Sequence, residues 1–199
     1  MRRLFNVLVF TALILSSANS FSYNSEPKIF ITELVDDALK TLSDKNISKA
    51  DKRKKIEIIA LDNVDIDALG MYTLGSVRKT LDQDTLEKYK NLFKDYFLKS
   101  LTSRLTDYSE NNFEVTGENQ KSETTTIVKS RIMETKSQPE VKIDWRIYIK
   151  NPAKPLIRDL IVEGLSLAKT QKEEFASIMS SNNNNINILF SKLEEFINN

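Results

Sequence analysis

The sequence contains no histidine and no cysteine among its 199 residues. Without histidine, a Ser-His-Asp triad, a Cys-His nucleophile pair and a His-ligated zinc site are all impossible. An enzyme would have to work with carboxylates, lysine, tyrosine or a Ser–Lys pair. Without cysteine there is no disulfide framework, so the fold has to be held by its core. These absences favour a binding function over catalysis.

The sequence also lacks an excess of charge of one sign. Its formal net charge is +1, and loss of Arg2 and Arg3 with the leader described below lowers this to about −1. A near-neutral chain has no electrostatic footprint for nucleic acid. Nucleic acid is therefore not expected as a partner.

The N-terminal segment is typical of a secretory signal peptide. Arg2 and Arg3 form its basic start, Leu4–Leu15 its apolar segment and Ala18-Asn19-Ser20 a small-residue cleavage site. The apolar run is too short for a membrane span and is interrupted by polar residues. An uncleaved membrane anchor is therefore the lesser alternative. No cysteine follows Ser20, which excludes a lipid anchor at that position. We predict a signal peptide at residues 1–20 and a single exported domain at residues 21–199.

Apolar residues recur at helical spacing in several segments. The pattern predicts helices at residues 28–43, from Ser48 onwards, at 65–79, at 80–108, after Thr170 and at 186–197. The longest, Thr80–Tyr108, carries aromatic residues at successive turns, including Phe93 and Phe97. Large flat side chains can wall a cavity as well as fill a core, and the pattern by itself favours a filled core.

The apolar period changes from 3.6 to 2 after Tyr108, which indicates strands. We predict a first strand at Phe113 and Val115, a second at Glu123–Glu134 and a third at residues 141–150. The predicted connections are Gly117–Ser122, Thr135–Pro139 and Asn151–Pro155. Short connections favour a meander, so the fold class is α+β, with a curved four-stranded antiparallel sheet packed against several helices.

The fourth predicted strand lies in Arg158–Met179. Its apolar run continues past Gly164 to Thr170, and an internal glycine is typical of a bend or a bulge. Thr170-x-x-Glu173 has the pattern of a capping box that starts the next helix. The segment therefore predicts a long bent strand that leads directly into a helix.

Two charged clusters have alternative interpretations. Asp62, Asp65 and Asp67 have oxygen-rich spacing, but an EF-hand would need a glycine and a terminal glutamate that are missing here. Helix capping is favoured over a metal site. The basic run at residues 52–55 is interpreted as a solvated helix face, with contact to an anionic membrane as the alternative.

Two segments of the chain resemble one family. Asp159-Leu-Ile-Val-Glu-Gly-Leu-Ser-Leu, followed by Phe175, and Leu74-Gly-Ser-Val-Arg-Lys-Thr-Leu, followed by Tyr89 to Phe97, are similar to two motifs of the toluene-tolerance (MlaC) family. Its members are periplasmic phospholipid-binding proteins of the Mla (maintenance of lipid asymmetry) pathway. Val77 and Pro155 stand near positions where that family often has an aromatic residue and a tryptophan.

The resemblance implies a specific function. It implies a periplasmic carrier that holds phospholipid tails in an apolar cavity between the sheet and the helices. The implied partners are an outer-membrane lipoprotein complex and an inner-membrane ABC transporter complex bearing MCE domains. It implies a monomer with no cofactor, no metal and no catalytic residues. The implied lipid-binding residues are Leu74, Val77, Phe93, Phe97, Leu101, Ile143, Trp145, Ile147, Leu160, Val162, Leu165, Phe175 and Ile178.

Three other functions stay open at this point. An exported enzyme based on carboxylates would have to use the cluster from Asp62 to Asp67. A non-catalytic adaptor protein of the Gram-negative envelope would have the same fold with a filled core. A carrier of another apolar ligand, such as a single-chain lipid, would have the same sequence features.

Overall fold

The computed structural model describes residues 23–105, 112–135 and 139–199. The predicted signal peptide, Tyr108 and part of the Thr135–Pro139 connection lie outside these residues. Within the described ranges, no helix combines the length and the apolar character needed to cross a membrane.

Helices occupy both ends of the described chain and flank a sheet. They are α1 (Pro27–Ser43), α2 (Lys49–Asn63), α3 (Ile66–Thr73), α4 (Gln83–Leu105), α5 (Leu167–Ser180) and α6 (Ile186–Asn198), with a short 3₁₀ helix at Gly75–Lys79. The strands are β1 (Phe113–Ser122), β2 (Thr125–Ile132), β3 (Val141–Tyr148), β4 (Leu156–Val162) and β5 (Leu165–Ser166). The predicted α+β class is confirmed.

Side-chain caps define where several helices begin. The Ser48 side chain accepts a hydrogen bond from the Asp51 amide at the start of α2. The Asp82 carboxylate accepts one from the Thr85 amide at 2.7 Å, which holds the pKa of Asp82 below its usual range. Each cap satisfies an amide that the first helical turn leaves without an intrahelical acceptor. The long helix therefore begins at Gln83, three residues after the predicted start.

The sheet is an antiparallel meander of sequential strands, in the order β1-β2-β3-β4-β5. The predicted meander is confirmed, but the prediction of four strands is wrong. Gly117–Ser122, predicted as a connection, continues β1, and only Glu123 and Thr124 separate β1 from β2. These residues are mostly exposed and polar, so pairing with β2 holds them extended without an alternating apolar pattern.

The prediction of a long bent strand through Gly164 is also wrong. Glu163 (φ 48°) and Gly164 (φ 81°) form a two-residue turn, and β5 folds back to pair with β4. Positive φ at both turn residues matches the right-handed twist of the strands that a tight hairpin joins. Helix α5 then begins directly after β5, with Ser166 as its N-cap, so the predicted capping box at Thr170 is wrong as well.

The buried residues form two separate clusters. The cluster that we call the helical core lies among α3, α4, α5 and α6. The cluster that we call the sheet core lies between α1, α2 and one face of the sheet. The buried members of the helical core are Ile66, Leu69, Leu74, Tyr89, Phe93, Ala168, Phe175, Met179, Leu189, Phe190 and Leu193. Those of the sheet core are Phe30, Ile31, Leu34, Val35, Leu42, Ile56, Ile59, Val128, Ile147 and Ile157.

Candidate functional site

The thirteen residues expected to bind lipid do not lie in one place. Six belong to the helical core or pack against it, namely Leu74, Val77, Phe93, Phe97, Phe175 and Ile178. Four belong to the sheet core or pack against it, namely Leu101, Ile147, Trp145 and Leu160. The remaining three, Ile143, Val162 and Leu165, lie outside both clusters. Helix α4 connects the two groups, because Phe93 and Phe97 lie at the helical core and Leu101 lies at the sheet core.

The aromatic residues of α4 form a ladder inside the helical core. The Phe93 ring lies 5.8 Å from that of Tyr89, and 6.4 Å from each of the Phe97 and Phe175 rings. Phe93 is almost fully buried, and a Cβ atom at Gly70 would lie only 2.8 Å from its ring. The close approach needs glycine at that position. Phe97, by contrast, is only half-buried.

A hydrogen bond between buried hydroxyl groups crosses the same core. The Thr73 and Tyr89 hydroxyls lie 2.8 Å apart, and the Thr73 hydroxyl also donates to the Gly70 carbonyl at 2.9 Å. Burial raises the pKa of Tyr89, which keeps its hydroxyl protonated. The pair satisfies two polar groups in an apolar region and stabilises the packing of α3 against α4.

The single tryptophan is oriented by a polar contact on the sheet. Trp145 donates from Nε1 to the Ser130 hydroxyl at 2.8 Å, and that hydroxyl donates to the Ile143 carbonyl at 2.8 Å. The Phe113 ring meets the indole edge-on with the ring centres 6.2 Å apart. Trp145 and its cross-strand neighbour Leu160 are both half-buried at the margin of the sheet core. Their apolar surface is only partly covered.

A row of side chains continues this face towards the edge of the sheet. Ile143 pairs with Val162, and Val162 pairs with Leu165. Directly opposed residues share a face of the sheet, so these three side chains lie on the Trp145 side. Ile143 and Val162 are half-buried, whereas Leu165 is 69% exposed. The apolar face therefore becomes progressively less covered towards β5.

The motif that begins at Asp159 builds a structural junction, with Asp159 as its central residue. Its carboxylate accepts hydrogen bonds from the Ser166 hydroxyl at 2.7 Å and from the Ala168 amide at 3.0 Å. Arg146 lies at 3.7 Å from the same carboxylate. Asp159 therefore joins β4 to the first turn of α5. This role was not predicted from the sequence, because the contact with Ser166 depends on the turn between β4 and β5.

The acidic cluster does not converge on one site. Asp65 caps α3 by accepting from the Ala68 amide, and its carboxylate pairs with the Arg158 guanidinium at 2.7 Å. Asp67 lies in the first turn of α3, whereas Asp62 lies in the last turn of α2. The capping interpretation is confirmed for Asp65 and wrong for Asp62, since a carboxylate at a helix C-terminus opposes the helix dipole. Among the residues that the structure describes, no cluster of three or more acidic side chains is arranged to hold a metal ion.

Two surface depressions lie elsewhere on the molecule. One, of about 480 Å³, is lined by Tyr148, Lys150, Asn151, Lys154 and Leu156. The other, of about 350 Å³, lies on the sheet face opposite Trp145 and includes Lys129, Arg131, Lys142 and Asp144. Neither is the apolar cavity expected between the sheet and the helices.

Comparisons with known proteins identify a family for the chain and a solved structure of similar fold. A family model described as "MlaC protein" matches residues 32–195. A similar solved structure is the phospholipid-binding protein from Ralstonia solanacearum in complex with a phospholipid, with a TM-score of 0.70 and 18% sequence identity. The match covers 87% of this chain and 97% of that one, and at this identity it shows a shared fold. A search of curated proteins finds no match.

Proposed function

This chain belongs to the MlaC family, and from that membership we propose that it is a periplasmic phospholipid carrier. It carries lipid between an outer-membrane lipoprotein complex and an inner-membrane ABC transporter complex bearing MCE domains. It acts as a monomer, without a cofactor or a catalytic step. The observation that carries the proposal is the family match over residues 32–195, and the shared fold with a protein solved in complex with a phospholipid supports it.

The need for a carrier follows from the hydrophobic effect. Each methylene moved from an apolar environment into water costs about 0.8 kcal/mol, so two bare acyl chains face a barrier of tens of kcal/mol. A carrier lowers this barrier by offering the chains an apolar environment similar to that of a bilayer. The headgroup can stay in solvent, so the site needs no charged clamp.

The half-buried apolar residues at the margins of the two cores are the proposed contacts for the acyl chains. Phe97 lies at the margin of the helical core, and Leu101, Trp145 and Leu160 lie at the margin of the sheet core. Each core has its own fully buried residues. Acyl chains that contact these marginal residues therefore need not displace the fully buried residues of either core.

A non-catalytic envelope adaptor is the second candidate, and a specific observation favours it. Leu74, Phe93, Ile147 and Phe175 were expected to line the cavity but are almost completely buried in packed protein. A protein that only bridges partners needs such filled cores and no space for a ligand. The two candidates therefore differ in what happens when a half-buried apolar residue becomes polar.

The test compares two half-buried apolar residues expected to bind lipid, changed in Phe97→Asn and Val162→Glu, with the buried Phe93, changed in Phe93→Asn. For a carrier, the polar groups in the first two variants can be hydrated, so lipid content should fall sharply while thermal stability changes little. Phe93→Asn leaves a cavity in packed protein and should lower the free energy of unfolding by about 3–5 kcal/mol. Lipid content and thermal unfolding are measured on the same preparations. If all three variants are destabilised alike, and the wild type carries no lipid, the adaptor function is preferred.

A further inference from the structure

Helix α2 has an apolar pair on the face that points away from the core. The buried residues of this helix are Ile56, Ile59, Ala60 and Asn63. Ile58 and Leu61 lie three residues apart, so they share the opposite face of the helix, where they are 37% and 48% exposed. The contact of α2 with the sheet core is complete without this pair. We call the side of the helix that carries the pair the outer face of α2.

Two lysines continue the outer face towards the start of the helix. Lys54 and Lys55 are exposed and lie one turn before the apolar pair. The neighbouring carboxylates are engaged, because Asp51 accepts a hydrogen bond from the N-cap hydroxyl at 2.7 Å and Glu57 pairs with Arg53 at 3.4 Å. Within the part of the chain that the structure describes, neither lysine forms an ion pair. Both charges are therefore available to a partner.

The cations of α2 do not stabilise the helix itself. Lys49, Lys52 and Lys55 follow one another at three-residue spacing, where like charges on a helix repel. Lys52 is turned towards the chain and donates a hydrogen bond to the Leu42 carbonyl, whereas Lys49 and Lys55 are exposed. A surface that keeps cations together against their mutual repulsion favours a partner that carries negative charge.

A carboxylate lies at the other end of the outer face. Asp62 is half-buried and follows Ile58 by one turn, which places it about 12 Å along the helix axis from Lys54. It lies in the last turn of α2, where a negative charge opposes the helix dipole, so it does not stabilise the helix. The outer face therefore presents bases, an apolar pair and an acid in succession.

We propose that the outer face of α2 is the docking surface for a protein of one of the two membrane complexes, on which a carboxylate, an apolar patch and a cation follow one another in the complementary order. This inference rests on the proposed function and adds the docking face and the chemistry of the partner. Such a partner pairs with Lys54 and Asp62 at the two ends and covers Ile58 and Leu61 between them. Charged groups around an apolar centre are the usual composition of a protein–protein interface.

The order of the charges selects a protein over a bilayer. An anionic bilayer carries one sign of charge throughout, so it attracts Lys54 but repels Asp62. The distance of about 12 Å between these groups exceeds the screening length of about 8 Å at physiological ionic strength, so they act as separate charges. Opposite charges at the two ends also fix the direction in which the partner lies. A single helix face buries little area, which suits a carrier that has to dissociate from each complex.

The experiment measures, by biolayer interferometry, the affinity of the protein for two complexes of the same organism, each purified in detergent. They are the outer-membrane lipoprotein complex and the inner-membrane transporter complex with MCE domains. One variant combines Lys54→Glu with Lys55→Glu, and another combines Ile58→Gln with Leu61→Gln. We expect both to weaken binding to the same complex about tenfold or more, the first because like charges then face each other and the second because apolar contact is lost. Binding of the wild type to that complex should weaken as salt is added.

The loop between β3 and β4 offers a matched control for charge. Lys150 and Lys154 are exposed there, so Lys150→Glu combined with Lys154→Glu changes the net charge by the same amount as the reversal on α2. This variant should bind both complexes with the wild-type affinity. Urea unfolding should give all three variants the stability of the wild type, because every changed side chain is exposed. Vesicles of phosphatidylglycerol should not retain the wild type in a sedimentation assay.

The other outcomes contradict the docking surface. Unchanged affinities in both α2 variants, with normal binding by the wild type, remove the surface but leave the carrier function intact. A loss confined to one of the two variants removes either the charged or the apolar part of the combined surface, and so overturns it. An equal loss in the loop control shows a general effect of charge, and tight binding of the wild type to the vesicles shows a bilayer contact instead. A wild-type protein that binds neither complex overturns the proposed shuttle together with this inference.

Discussion

Replacing Asp159 with alanine tests whether this residue forms the structural junction between β4 and α5. The carboxylate is 6% exposed and accepts hydrogen bonds from the Ser166 hydroxyl and the Ala168 amide. Alanine removes both acceptors at once. The Ala168 amide lies in the first turn of α5, where the helix itself provides no acceptor. The replacement therefore leaves a buried donor unsatisfied at the junction of β4 and α5.

The expected loss can be estimated from these contacts. A hydrogen bond to a charged group contributes about 1.5–3 kcal/mol, and an unsatisfied buried donor costs about 1–3 kcal/mol. The contact with Arg146, at 3.7 Å and half-exposed, adds little. We therefore expect Asp159→Ala to lower the free energy of unfolding by about 3 kcal/mol. For a domain of this size, that corresponds to a fall in Tm of roughly 6–12 °C.

Urea unfolding followed by circular dichroism measures this loss. Asp159→Asn keeps an acceptor for the Ala168 amide, so it should cost less than Asp159→Ala. Asp36→Ala, on the exposed face of α1, serves as the control and should stay within about 0.5 kcal/mol of the wild type. An Asp159→Ala protein with the stability of this control would refute the structural role of Asp159.

The remaining predictions concern single positions. Asp65→Ala should lower the free energy of unfolding by about 0.5–2 kcal/mol because it removes a helix cap. Asp62→Ala, in the last turn of α2, should leave the free energy of unfolding unchanged. Urea unfolding of both variants measures the difference. Gly70→Ala should cost about 1–3 kcal/mol, because its Cβ would lie 2.8 Å from the Phe93 ring; a wild-type Tm in this variant would contradict the tight packing. N-terminal sequencing of the exported protein should begin at Phe21, and a retained Met1 would exclude a cleaved signal peptide.

Periodicity predicted the helices well because their apolar faces are one-sided. The pattern of α6, for example, predicted a helix at residues 186–197, and the structure has it at Ile186–Asn198. Positions without a periodic signal were less predictable. The polar half of β1 has no alternation, because that part of the strand is exposed on both faces and depends on pairing with β2.

The hairpin between β4 and β5 shows why a local turn can be missed. A tight turn of this kind usually has asparagine or aspartate before the glycine, but here Glu163 occupies that position at φ 48°. The backbone amide and the carboxylate of Glu163 form hydrogen bonds with the backbone of Lys142 on β3, and these bonds stabilise this conformation. Such contacts are distant in sequence, so the local pattern could not reveal them.

The lipid-binding role of the thirteen residues stays a prediction, and their spatial arrangement could not be predicted from the sequence. Phe93 and Phe97 follow the same helical stripe, yet one is buried in the helical core and the other is half-buried at its margin. Which of them can contact a ligand depends on how α3, α5 and α6 pack around α4. Spacing along one helix carries no information on this packing.

Native mass spectrometry of protein purified from the envelope fraction, never exposed to detergent or organic solvent, tests whether the protein carries phospholipid. We expect a folded protein whose mass exceeds that of the mature chain by one diacyl phospholipid, and fragmentation should release that lipid. The Phe97→Asn protein, purified in parallel, should show much less of this complex. A folded wild-type protein found only at the mass of the bare chain would contradict the carrier function.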